Sequence, residues 1–261
     1  MSNDISALSK STTAGLPTGI SYLANEALRQ IGLARMFDPS VIEGLIRSSL
    51  SPKHADLAAA IDALTKNGHS IETVVSEFVP KIAEQLGIDW VEDRRNWVDV
   101  SISASRLQDI VASSPSTSSK LNGSAGRVLV LTPAHEQHVL SAAILQKRIS
   151  FLGHYAERAS DVTPEDVLGR FDVATFDTVF ISQSRSDDFA VTSKIAAEIK
   201  TAAPYMPVLL GGYVAHQGIK MPDGIDMVTN ELTEALSFSG ISVDHDHIGL
   251  SQQEENTRSR S

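Results

Sequence analysis

The chain has 261 residues, 42% of them hydrophobic and 21% charged, enough apolar content for a packed core and too much for a wholly disordered polypeptide. Its 22 Lys and Arg against 32 Asp and Glu leave a net charge of −10, spread as −4 over residues 1–112 and −5 over 127–240. That even acidity argues against a broad phosphate-binding surface, and so against direct DNA binding. Cysteine is absent, which excludes disulfides, iron–sulfur clusters, thiolate zinc sites and a cysteine nucleophile.

Residues 1–20 are polar and too poor in apolar side chains to offset their ordering entropy, so they read as disordered. They lack the apolar core of a signal peptide, and no run approaches the roughly 20 residues of a membrane span, which points to a cytoplasmic protein. Residues 21–112 then read as a helical bundle. Tyr22, Leu23, Ala27, Leu28, Ile31 and Leu33 recur at helical spacing. Pro39 starts a second helix with Val41, Ile42, Leu45 and Ile46 inward. Ser51-Pro52 reads as a cap and first-turn proline before Leu57, Ala60, Ile61 and Leu64, and Asn67-Gly68 as a stop. Val74, Val75, Phe78, Val79, Ile82 and Leu86 continue the rhythm up to a break at Gly87. A last helix carries Val98, Ile102, Leu107, Ile110 and Val111 inward. Trp90 and Trp97, the two tryptophans, are seven apart, so one helix face presents both, into the core or towards a ligand.

Residues 113–126 (SSPSTSSKLNGSAG) have a linker's composition. From 127 to 240 the rhythm changes. RVLVL from Arg127, a strand at Gly153–Ala156, TVFIS from Thr178, PVLL from Pro207 and Asp226–Val228 alternate with helical stretches at 140–149, from Pro164, at 193–202 and at 231–237. This alternation predicts a doubly wound parallel sheet. Residues 241–261 read as a flexible tail. In such sheets ligands sit beyond the carboxyl ends of the strands. The first strand is followed there by His135-Glu136-Gln137-His138, the third by Ser182-Gln183-Ser184, the fourth by Gly211-Gly212-Tyr213. A histidine with a carboxylate two residues away suits metal ligation, since the second ring nitrogen of a ligating imidazole usually donates to a carboxylate. Paired glycines at a strand end allow a turn and close approach of a bulky ligand.

The combination E-x-H-x-x-S, 40 residues, S-x-S, 26 residues, G-G resembles the signature of the cobalamin-binding domain family, which carries D-x-H-x-x-G, S-x-L or S-x-T, and G-G at similar intervals. The resemblance covers about residues 127–240 and implies a flavodoxin-like sheet. By it, His138 is the lower cobalt ligand and metal-binding residue, Glu136 its partner, Ser182 and Ser184 line a slot for the displaced nucleotide tail, Gly211 and Gly212 let the tail pass, and Tyr213 beside them belongs to the cofactor site. Glu136 stands where the family has Asp, and Ser141 where it has Gly, which narrows the approach. The segment LGIDWVED from Leu86, with Ser105-Arg106-Leu107-Gln108 after it, resembles the helical bundle that precedes this domain and caps the corrin, which makes Trp90 the tryptophan nearer the cofactor. The whole is most similar to the AerR/PpaA group of cobalamin-binding, light-responsive photosynthesis-gene regulators, implying a sensor that controls a transcriptional repressor by protein contact. Haem replaces the corrin in some of the wider group. A corrinoid carrier of a methyltransferase system, and a cofactor-free interaction domain, remain as alternatives, and an oligomer is possible.

No histidine lies between His69 and His135, so the segment with both tryptophans supplies no imidazole; any second protein ligand comes from His54, His69, His245 or His247. G-x-x-x-x-G-K-[ST], G-x-G-x-x-G and G-x-S-x-G are all absent, and His135-Glu136-Gln137-His138 is one residue short of H-E-x-x-H.

Overall fold

A computed structural model describes residues 37–115, 125–185, 189–217 and 220–243. The helix expected over Tyr22–Leu33 and the central part of the 113–126 stretch lie outside them. The chain divides at Gly44 into two units. The first contributes Phe37–Gly44, the start of helix α1 (Pro39–Leu50). The second holds the rest.

Helix α2 (Ala55–Lys66) begins three residues after Pro52, not at it, and buries Leu57, Ile61 and Leu64. Ser51 still serves its start from a distance, through a hydroxyl hydrogen bond to the Asp56 carboxylate. Asn67 and Gly68 end it as expected. Gly68 takes φ +95°, and the N–H groups of Gly68 and His69 close back on the carbonyls of Thr65 and Leu64.

Next comes one continuous helix in three parts: α3 (Ile71–Thr73), a π-type turn (Val74–Phe78) and α4 (Val79–Val91). The wide turn ends two residues before Pro80, which has no N–H to give to Ser76 and whose ring crowds that carbonyl in a regular helix. Gly87 does not break the helix. The chain leaves it at Asp93, which takes φ 55°, while the Asp89 carbonyl accepts the N–H groups of Arg94 and Arg95. Buried Asp89 also receives Gln85 Nε2, Arg94 Nε and Arg95 Nε on its carboxylate, at 2.8–3.0 Å. Helix α5 (Trp97–Ser113) buries Ser103, Leu107 and Val111. Val98 and Ile102, expected inside, are exposed. The tryptophans end on different helices and both face outward, 53% and 66% exposed, which overturns a shared helix face.

The remaining elements are β1 (Arg127–Pro133), α6 (Val139–Phe151), β2 (Tyr155–Val162), α7 (Pro164–Arg170), β3 (Thr178–Ser182), α8 (Phe189–Ala202), β4 (Val208–Gly211), β5 (Met227–Val228) and α9 (Leu232–Phe238). The five strands are all parallel, in the order β2-β1-β3-β4-β5. This is the flavodoxin-like doubly wound sheet. Alternate residues of each central strand pack on opposite faces. Leu129, Leu131, Val179, Ile181, Val208 and Leu210 meet α7 and α8; Val128, Val130, Phe180 and Leu209 meet α6 and α9. Burial on both sides is why these strands read as unbroken apolar runs. The second strand is longer than expected and starts at Tyr155. It is an edge strand, and its polar stretch Glu157–Asp161 carries no apolar signal.

Helix α6 is covered on its other side by α5 and the π-type turn. Arg106 Nη1 ties the bundle together by donating to the carbonyls of Ser49 and Ser51 at 2.6 Å each, and Lys147 Nζ on α6 donates to the Ser114 carbonyl at 2.6 Å. No helix among the described residues is long and apolar enough to cross a membrane.

Candidate functional site

Strand order reverses between β1 and β3, and there the loops leaving the two strands part, opening a crevice. The first loop starts at Thr132-Pro133, turns at His135 with φ 69°, and brings Glu136 back under His138, the residue that precedes α6. Glu136 is the hub. Its Oε1 accepts the His138 backbone N–H at 2.8 Å and lies 2.7 Å from His138 Nδ1; its Oε2 accepts the Ser184 N–H at 2.7 Å. One carboxylate thus joins the loops after β1 and β3 across the switch point.

Burial pushes the Glu136 carboxyl up, but the N–H groups of Ser184 and His138 and the imidazole more than offset it and hold the carboxyl below its usual range. An ionised Glu136 fixes the proton of His138 on Nδ1 and leaves the Nε2 lone pair available. The Glu136 side chain is 4% exposed and that of His138 63%, so the acid is structural and the base is offered outward.

Beside this pair lies a cavity of about 360 Å³ between α6, α9 and the sheet, within the range of small-molecule sites. Ser141, Ser182, Gly211, Gly212 and Tyr213 line it. Ser141 Oγ lies 3.0 Å from Ser182 Oγ and donates to the His138 carbonyl at 3.1 Å. A Cβ on Gly211 would stand 2.9 Å from the Thr229 carbonyl oxygen. Gly212 has φ +99°, and a Cβ there would run into the Gln183 carbonyl, so only glycine lets the chain turn so close to the end of β3. Asn230 fixes this turn from the far side, accepting the Gly212 N–H at 2.8 Å and donating to its carbonyl at 3.1 Å.

Of the nine residues singled out in the sequence, eight therefore meet at one edge of the sheet: Glu136, His138, Ser141, Ser182, Ser184, Gly211, Gly212 and Tyr213. Ser184 contributes its backbone to Glu136 rather than lining the cavity. Trp90 is not among the lining residues. Sequence reading missed Asn230 and the inner lining, Ile144, Leu145, Arg148, Phe180 and Leu209. Ser141, Ile144, Leu145 and Arg148 follow i, i+3, i+4, i+7 spacing, a signal present in the sequence but indistinguishable there from a core-facing helix stripe.

Among the described residues no group of three or more His, Asp or Glu is placed to hold a metal ion. A single oriented imidazole suits a metal that arrives with its own equatorial ligands, and the adjacent cavity gives a side arm of that group somewhere to go. The donor set and the cradle at Gly211-Gly212 fit such a macrocycle.

Fold and site define a doubly wound domain with one outward-facing imidazole at its switch point and a neighbouring groove. No family model matches the chain. It is 27% identical over 178 residues, 64% of this chain and 90% of the other, to an uncharacterized 20.5 kDa protein in the bchF-crtJ intergenic region of Rhodobacter capsulatus. Among solved structures it is similar to the monomethylamine corrinoid protein of Methanosarcina barkeri, with a TM-score of 0.59 at 13% identity, over 79% of this chain and 97% of that one. At that identity the likeness speaks to the fold.

Proposed function

We propose that the protein binds a cobalamin at the β1/β3 switch point and acts as a regulatory sensor, passing the state of the cofactor to a transcriptional repressor by protein contact. The observation that carries the cofactor reading is the Glu136–His138 pair set beside a groove lined by Ser141, Ser182, Gly211 and Gly212. His138 would hold cobalt from below through Nε2, Glu136 would keep its proton on Nδ1, and the cavity between α6 and α9 would take the nucleotide tail. When bound, the cofactor would supply a cobalt with an exchangeable, light-sensitive ligand. Haem, which has no tail, leaves the groove without a purpose, so the groove favours a corrin.

The net charge of −10 favours a protein partner over DNA. The exposed side chains of Trp90, Val91, Trp97 and Val98 on the bundle are apolar surface available to a cofactor or a partner. Differential contacts of the two cofactor states with such a surface would shift the bundle's population and so its partner binding. The fold shared with a corrinoid protein supports the second reading, a corrinoid carrier for methyl transfer.

The test is to titrate the full chain and a His138→Ala variant with hydroxocobalamin and adenosylcobalamin, recording spectra in darkness and in light. A bound corrinoid whose lower ligation changes in the variant is expected. Absence of binding by either chain refutes both readings. A light-dependent spectrum with partner capture that differs between light and dark supports the sensor; methyl transfer to a thiol or folate acceptor with a partner enzyme supports the carrier.

A further inference from the structure

Arg148 sits in the cavity on the same face of α6 as Ser141. Seven residues at 1.5 Å each put it about 10 Å further along the helix, away from the carboxyl edge of the sheet. Ser141 and Ser182 stand at the mouth, Ile144, Leu145, Phe180 and Leu209 make the middle apolar, and Pro80 of α4 reaches the lining from the bundle. Of the described lining residues two are charged, Arg148 and Glu231. The Arg148 guanidinium has no hydrogen-bonded partner among the described residues; Glu72 of α3 acts on it only through its charge.

The half-buried guanidinium thus has donors that a ligand entering the cavity can take up. Its planar fork matches an oxyanion, phosphate above all. Resting on the corrinoid reading, we propose that Arg148 is a specificity-determining residue that pairs with the phosphate of the nucleotide tail. A corrinoid without that phosphate leaves the guanidinium unpaired in the groove and binds more weakly. Arg148 thereby separates tailed corrinoids from tailless precursors.

The experiment titrates the full chain with cobinamide, which lacks both phosphate and base, with cobinamide phosphate, and with cobalamin. The wild type is expected to bind the two phosphate-bearing forms about ten- to a hundredfold more tightly than cobinamide, as for a hydrogen bond to a charged group. Arg148→Met is expected to erase that ratio, and Arg148→Lys to keep part of it. An unchanged ratio in Arg148→Met overturns the proposal, as does an equal loss for all three ligands, which marks a structural role. If none of the three binds the wild type, the corrinoid reading itself fails; if cobalamin binds and the ratio ignores residue 148, only the role of Arg148 fails.

Discussion

Replacing Gly212 by alanine tests the geometry of the site against an internal control. Gly68 and Gly212 share nearly the same backbone, φ +95° and +99°, but a Cβ at Gly68 meets nothing within 4 Å, whereas at Gly212 it runs into the carbonyl of Gln183. Left-handed backbone costs an L-residue about 1–2 kcal/mol, and the stiffer unfolded chain returns roughly 0.4–1 of that. Gly68→Ala should therefore lose about 1 kcal/mol. At Gly212 the neighbouring carbonyl cannot withdraw freely, because the Gln183 N–H is bonded to the Gly211 carbonyl at 3.0 Å and Asn230 holds both sides of Gly212. Overpacking of this kind adds about 1–3 kcal/mol, giving a total of about 2–4. Urea unfolding of the wild type and the two variants, with the slope checked for constancy, measures the difference. Equal losses in the two variants would refute the close approach of the two loops. Gly212→Ala should also weaken corrinoid binding, which Gly68→Ala should leave intact.

His138→Ala should change stability by less than about 0.5 kcal/mol, since its side chain is mostly exposed, while abolishing lower-axial ligation in the corrinoid spectrum. Glu136→Gln should weaken cofactor binding about ten- to a hundredfold and destabilise by about 1–2 kcal/mol. The folded carboxyl of Glu136 is held below the ordinary value of 4.5, so its contribution is complete above that pH and is lost as pH falls through the folded value. The stability gap between wild type and Glu136→Gln should accordingly close in acid and stay constant from about pH 6 to 8; a gap that widens in acid contradicts the assignment. Burial would raise the Asp89 carboxyl, but Gln85, Arg95 and Arg94 outweigh it and hold it below its usual range. With Arg94 half exposed and screened by solvent, Asp89→Asn should cost about 1–2 kcal/mol at neutral pH, again vanishing as acid protonates the wild-type group, as thermal melts across pH would show.

Strands β1 and β3 were legible almost to the residue because RVLVL and TVFIS are buried on both faces, a condition that leaves a continuous apolar run. The polar half of β2 was not, because an edge strand needs no such run. Helix ends were misread where a residue other than glycine took the left-handed conformation: Asp93 does for α4 what Gly87 was expected to do. The sequence places Glu136 and His138 two apart, so their contact is local. The bonds from Ser184 to Glu136 and from Asn230 to Gly212 join residues 48 and 18 positions apart, and only the closed sheet brings them together. Arg148 was invisible for a related reason: nothing local distinguishes a cavity-facing arginine from a solvated one.

The crossover order of the strands also sets when the site comes into being. The imidazole–carboxylate pair needs only residues near 136, but its brace comes from Ser184 and the groove's far wall from Gly212, Asn230 and Leu232. During synthesis from the N-terminus the histidine therefore emerges almost a hundred residues before its pocket is complete. A ligand that needs the pocket binds only the finished fold and shifts the folding balance only then, by mass action. Availability of the cofactor would thus govern how much of the protein persists, as well as the state it is in.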